Sequence, residues 1–89
     1  MMQLKLSGGL FLLFEHQDKK LRLVITDGNS ELACRKETKL VLKRFLSSAQ
    51  NQLFKGRLQL HKRDAALTVV LKGKPVGGIN RQDLEKILN

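Results

Sequence analysis

The chain has 89 residues, 42% of them apolar, which is enough for one hydrophobic core and too little for two independent domains. Seventeen Lys and Arg face eight Asp and Glu, giving a net charge of +9, and no apolar run approaches the roughly 20 residues of a membrane span. The length predicts one domain, residues 1–89, and the short apolar runs predict no membrane partner. A lone cysteine, Cys34, excludes an internal disulfide, so we expect the protein in the reducing cytoplasm.

The first apolar segment predicts a strand. Residues 6–14 lack the small-residue cleavage site of a signal peptide. Phe11 and Leu13 lie on one face of this strand, and the residues that alternate with them are apolar as well. Residues 21–26 have the alternation of a half-buried strand, and a polar turn at residues 17–20 joins them to the first strand in a hairpin. After a polar turn, residues 32–34 predict a brief third strand.

The apolar period then changes to that of a long helix over residues 37–54. The apolar stripe of this helix consists of Val41, Leu42, Phe45, Leu46, Ala49 and Leu53. Its solvent side carries Lys36, Lys39, Lys43 and Arg44. A cation followed by a glycine, Lys55-Gly56, is typical of a helix end.

Two more strands follow at residues 57–61 and 67–71, where apolar and polar residues alternate. Asn80 is a favourable N-cap for a short helix over residues 81–88. The glycine-rich segment 72–78 predicts a turn or, alternatively, a phosphate-binding loop, although it lacks the spacing of the nucleotide-binding motifs. No internal repeat is visible in the sequence.

Together these elements predict an α+β fold in the order β-β-(β)-α-β-β-α. We expect an antiparallel sheet of four to five strands, with one long helix packed on a face and a short C-terminal helix. Such a sheet buries the apolar stripes of both helices in one core.

The distribution of charge indicates a polyanionic partner. Residues 19–74 hold fourteen basic and four acidic residues, so the excess belongs to the middle of the chain. The four phenylalanines are mostly required by the core, which favours phosphate contacts with a duplex, structured RNA or DNA over base stacking. The predicted phosphate-binding residues are Lys36, Lys39, Lys43, Arg44, Arg57, Lys62, Arg63, Lys72 and Lys74.

An alternative is a protein-interaction module that docks an acidic protein or self-associates through the first strand. Phe11 and Leu13 would form this interface, covered by the C-terminal helix, by a second copy in a homodimer, or by another protein. His61 beside Lys62 is the one suggestion of a nuclease, and a single histidine predicts no enzyme. The spacing of Cys34 and the histidines predicts neither a metal site nor a cofactor, and we expect Cys34 to be buried.

Overall fold

The computed structural model describes residues 2–64 and 66–89, and within them it contains two antiparallel four-stranded sheets and two helices. The first sheet comprises β1 (Met2–Lys5), β2 (Phe11–Gln17), β3 (Lys20–Thr26) and β4 (Glu31–Thr38), and helix α1 (Lys39–Ser47) follows it. The second sheet comprises β5 (Gln52–Leu53), β6 (Leu58–Arg63), β7 (Ala66–Leu71) and β8 (Lys74–Asn80), and helix α2 (Arg81–Leu88) follows it. Each sheet is a meander with its strands in chain order. The predicted α+β class is confirmed, with two sheets in place of one sheet of four to five strands.

The two halves of the chain repeat one architecture, which the sequence analysis did not detect. We call residues 2–47 the first half and residues 52–88 the second half. In both halves the last residue of the fourth strand pairs with the first residue of the third, as Thr38 with Lys20 and Asn80 with Ala66. We treat residues at the same place in these ladders and helices as equivalent. The repeat is hidden because few equivalent residues are identical.

Both helices begin directly at the end of a strand, since the last strand residue also caps the helix. The Thr38 side chain accepts a hydrogen bond from the Val41 amide (3.2 Å), and the Asn80 side chain accepts one from the Gln82 amide (2.8 Å). Such caps satisfy amides that lack a partner within the helix. The predicted bounds of the C-terminal helix are therefore confirmed.

Helix α1 is shorter at both ends than the sequence predicted. Residues 31–38 form β4, because they pair with β3 along its length, and Leu53 belongs to β5. At the other end, the hydroxyls of Ser47 and Ser48 donate to carbonyls in the last turn. Serine side chains that bond the backbone compete with helix propagation, which explains why the helix ends before the apolar period does.

One hydrophobic core joins the two halves. Leu42 and Phe45 of α1 and Leu84 and Ile87 of α2 belong to the same buried cluster. The remaining members from the sheets include Leu12, Phe14, Leu21, Leu23, Ile25, Leu58, Leu60, Leu67, Val69 and Leu71, which alternate along the strands and define the inner faces. The opposite, outer faces of both sheets lie outside this cluster.

The halves also interlock outside the core. Between β1 and β2, Leu6 packs against Gly77 of β8, and the Ser7 hydroxyl donates to the Val76 carbonyl (2.8 Å). Reciprocally, Arg35 of β4 lies over the Phe54 ring between β5 and β6, 5.1 Å from its centroid. In each half the fourth strand therefore contacts the connection between the first two strands of the other half.

Two further expectations are corrected by the fold. The segment 72–78 is not a loop over its whole length, because Gly77 and Gly78 pair with β7 inside β8. Only Lys72 and Gly73 form the turn, with φ values of 51° and 82°. Cys34 is exposed rather than buried, because it lies on the outer face of the first sheet.

Candidate nucleic-acid interface

Lysines gather where the β2–β3 turn meets the start of α1. The Lys39 amide donates to the Lys19 carbonyl at 2.8 Å, which holds the turn against the helix. Two adjoining grooves share Asp18 and Lys19. Their lining includes five lysines, which we call the lysine cluster: Lys19, Lys20, Lys36, Lys39 and Lys43. Asp18 is the single carboxylate among the lining residues.

Local structure explains how residues from three elements converge. Asp18 adopts a left-handed conformation (φ 58°) in the tight turn that reverses the chain between β2 and β3. Lys20 pairs with Thr38, which places it beside the first turn of α1. Lys36 contributes from β4, so the prediction that it lies on a helix is wrong. It lines the groove that adjoins the one lined by Lys39 and Lys43.

Among the residues that the structure describes, none of the five lysines forms an ion pair, although Asp18 lines both grooves and Glu85 lines a further groove with Lys43. In the described residues the ion pairs lie elsewhere, between Arg22 and both Glu15 and Glu31 and between Arg81 and Glu85. The two carboxylates raise the pKa of Arg22 further above its already high value. Lys39 and Lys43 are four residues apart on one helix face, where like charges destabilise a helix by about 0.2–0.5 kcal/mol. The cluster therefore attracts anions at a small cost to the fold.

The second half builds the same end of the fold without these lysines. Lys20 and Lys36 are replaced there by Ala66 and Gly78. Lys39 is equivalent to Arg81, and Lys43 is equivalent to Glu85, since each pair occupies the same place after the N-cap. Arg81 and Glu85 form an ion pair (3.4 Å) where the first half has two cations. The architecture thus does not require the lysine cluster.

The other predicted basic residues do not join this cluster. Arg44 is exposed on α1 but lines neither groove. Arg57 and Arg63 are exposed on the outer face of the second sheet, and the Lys72 amide donates to the Arg57 carbonyl (2.8 Å). Lys74 is exposed at the start of β8. These residues therefore lie outside the lysine cluster, on α1 and in the second half.

Lys62 has a structural role that the sequence did not reveal. Its ammonium group donates to the carbonyls of Phe45 and Ser48 at the end of α1 and lies 4.8 Å from the centroid of the Phe45 ring. Burial, with a contribution from the charge of Arg81, lowers the pKa of Lys62. Because the group is bound to the helix end, we leave Lys62 out of the proposed binding surface.

Phe11 and Leu13 lie half-buried on the outer face of the first sheet, where Leu13 pairs with Val24. The C-terminal helix does not cover them, because its buried residues belong to the core on the inner face. The prediction that the C-terminal helix covers Phe11 and Leu13 is therefore wrong. A cover by a second copy of the chain or by another protein stays a prediction.

Sequence reasoning missed three residues of the site. Lys19 and Lys20 belong to the polar turn predicted at residues 17–20, and the sequence does not show that this turn meets the helix. Leu40, with 57% of its surface exposed, is the large apolar side chain that the described part of the chain leaves in solvent. It lines the same groove as Lys39 and Lys43. An apolar residue beside the basic face of a predicted helix was the available signal.

Neither α1 nor α2, the helices of the described residues, is long and apolar enough to cross a membrane. In comparisons with known proteins, no family model, no curated protein and no solved structure matches this chain.

Proposed function

We propose that the protein is a non-enzymatic nucleic-acid-binding protein whose lysine cluster contacts phosphates. The observation that carries this proposal is the comparison of equivalent positions in the two halves. The second half places Ala66, Gly78 and an Arg81–Glu85 ion pair where the first half places lysines. A cluster that costs stability and is dispensable for the fold is retained for its interaction with an anion.

The chemistry of the cluster suits a phosphate backbone. Lysine ammonium groups are point charges that displace condensed counterions from a nucleic acid, which provides affinity without reading the sequence. If all five lysines contact a DNA duplex, the slope of log affinity against log salt is about −4 to −5. Arg44, Arg57, Arg63, Lys72 and Lys74 are proposed as auxiliary contacts.

The proposal includes no catalytic step. The His61 ring lies 2.9 Å from the Gln59 side chain, and the groups that line the lysine cluster are cations, a carboxylate, Gln17, Thr38 and Leu40. We propose the reducing cytoplasm as the protein's location, and the free, exposed thiol of Cys34 supports this.

The second candidate function is a protein interaction through the outer face of the first sheet. Phe11 and Leu13 favour it, since half-buried apolar residues on an otherwise uncovered face are typical of an interface. The partner would be an acidic protein or a second copy of the chain. An apolar interface resists salt, whereas phosphate binding weakens steeply as salt rises, so a salt titration separates the two functions.

Fluorescence anisotropy with a labelled nucleic acid tests the leading proposal. The double variant Lys20→Ala, Lys43→Glu introduces the residues of the second half at the equivalent positions. The control Lys55→Ala, Lys86→Glu removes the same charge from exposed positions outside the cluster. We expect the first variant to weaken binding at least tenfold more than the control and to reduce the salt slope by about two.

Equal losses of affinity in both variants would show that only net charge matters and would remove the cluster as a site. If the wild type does not bind a nucleic acid at 50 mM salt, the proposed function itself is wrong. Wild-type protein that elutes with excess absorbance at 260 nm would support it independently.

A further inference from the structure

One of the two grooves of the lysine cluster contains an apolar surface that phosphate binding does not explain. Leu40, in the first turn of α1, is 57% exposed and lines a groove of about 450 Å³ with Asp18, Lys19, Lys39 and Lys43. This volume lies within the range of roughly 300–1,000 Å³ that is typical of small-molecule sites. At the equivalent position the second half has Gln82, a polar residue. An exposed leucine flanked by three lysines is complementary to a ligand that is apolar and anionic at once.

We propose, resting on the proposed function, that this groove receives one unpaired base of the bound nucleic acid. The face of the base packs on Leu40, and the phosphates on either side of it contact Lys39 and Lys43. Bases outside a duplex are bound in this manner against apolar side chains.

The lining of the groove favours a base over other anionic partners. The Asp18 carboxylate repels a phosphate placed directly in the groove, but it accepts hydrogen bonds from the amino groups of bases. A continuous duplex keeps its bases stacked inside, so it leaves Leu40 in water. Charge complementarity therefore places the phosphates at the lysine rim and the neutral, apolar base at the centre.

Leu40→Gln tests the inference, because glutamine is the residue of the second half at this position. The probes are a labelled single-stranded 12-nucleotide RNA and a blunt duplex of the same length. We expect Leu40→Gln to weaken binding of the single strand by roughly five- to tenfold and binding of the duplex by less than about twofold. The salt slope stays unchanged because all lysines remain.

Gln82→Leu is the matched control, since it creates the same exposed leucine beside Arg81 and Glu85. We expect this variant to bind both probes as the wild type does. Both positions are exposed, so both variants keep the fold, and a thermal melt verifies this.

Four results overturn the inference. Single-strand affinity that is unchanged in Leu40→Gln shows that no base occupies the groove, and the proposed function still stands if the lysine variant loses duplex binding. If Leu40→Gln loses the same affinity for the single strand and for the duplex, Leu40 supports nucleic-acid binding in general and does not contact an unpaired base. If Leu40→Gln binds RNA as the wild type does but loses the wild type's binding to vesicles of phosphatidylserine and phosphatidylcholine, the groove contacts an anionic membrane surface instead of a base. If neither probe binds the wild type, the proposed function fails together with the inference.

Discussion

The two halves of this protein share the register of their strands and the position of the helix directly after the fourth strand. They differ in the residues around the end where each helix begins. In the first half this end carries five lysines and an exposed leucine. In the second half it carries alanine, glycine and an internal ion pair. Both ends place a capping residue at the strand end and leucine four residues later, Leu42 or Leu84. The comparison separates what the fold needs from what it tolerates.

The outer faces of the two sheets differ in the same manner. The first sheet presents Phe11 and Leu13 around the buried Val24. The second sheet presents Arg57 and Gln59 around the equivalent Val70, which is also buried. Cross-strand neighbours shield the central valine in both, so the inner architecture is preserved while the outer residues diverge.

The largest expected effect concerns the shared core. Phe45 and Ile87 are equivalent, almost fully buried, and members of one cluster. We expect Phe45→Ala to lower the free energy of unfolding by about 3–5 kcal/mol and Ile87→Ala by about 2–5 kcal/mol. Because the core is common, urea unfolding followed by circular dichroism and by NMR should give one coincident transition in each variant.

Two separate transitions, with only the mutated half destabilised, would show that the halves fold independently. A melting temperature lowered by only one or two degrees in Phe45→Ala would contradict the placement of α1 on the core.

The contacts between the halves give the next largest effect. A Cβ atom added to Gly77 would lie 2.6 Å from Leu6 Cδ2 and 3.3 Å from Leu6 Cα, whereas one added to Gly78 meets only the Leu67 carbonyl at 3.4 Å. We expect Gly77→Ala to cost about 1–3 kcal/mol through overpacking. Gly78→Ala, the control in the same strand, should be neutral or slightly stabilising. Equal melting temperatures for the two variants would show that Leu6 and Gly77 are not in close contact.

Exchanging one pair of equivalent charges gives a smaller effect with opposite signs in the two halves. Lys43→Glu turns a repulsive pair with Lys39 into an attractive one, and Glu85→Lys does the reverse with Arg81. We expect the first variant to gain a few tenths of a kcal/mol of stability and the second to lose a similar amount. Thermal melts at low salt measure both. A Lys43→Glu variant that is less stable and also binds RNA normally would contradict the view that this lysine is retained for binding.

The smallest effect is the loss of stability at low pH that arises from the turn after the third strand of the first half. The amides of Ser30 and Asn29 donate to the Asp27 carboxylate, at 2.9 Å each, and lower the pKa of Asp27 below 3.8. The equivalent turn of the second half, Lys72-Gly73, has no carboxylate. Since the pKa is lower in the folded state, this stabilisation is present above pH 3.8 and is lost as the pH falls through the folded-state pKa.

Asp27→Asn keeps the acceptor oxygen but does not titrate. We expect it to lose less stability than the wild type between pH 5 and pH 2, measured by urea midpoints. An NMR titration of the Asp27 carboxyl at or above 3.8 would contradict the assignment.

Much of the second half could be predicted from local pattern. The strands at residues 57–61 and 67–71 and the helix at residues 81–88 follow from alternation and from the Asn80 cap. Segment 72–78 was misassigned because its glycines indicate a turn, whereas pairing with β7 and contact with Leu6 make it a strand. Gly77 is needed there for the close approach of another segment, and the sequence does not show that approach.

The candidate site was predictable only in part. Lys36, Lys39 and Lys43 were selected as one face of a helix, yet they come together from a strand and a helix. Lys62 was selected by its charge and is bound to the end of α1. A lysine on an alternating strand has the same local pattern whether its ammonium group meets water, a phosphate or a carbonyl.

By itself, the sequence determined the class of the fold, the basic charge of its surface and those elements whose apolar period and capping residues agree. These are properties of neighbouring residues, and they follow from backbone sterics and hydrogen bonding over a few positions. The tertiary structure alone decided that the two halves repeat, that Gly77 packs against Leu6, and that Lys19 joins Lys39 and Lys43 around Leu40 while Lys20 lines the adjoining groove. These depend on segments distant in the chain, whose contact is selected by the free energy of burying both halves in one core.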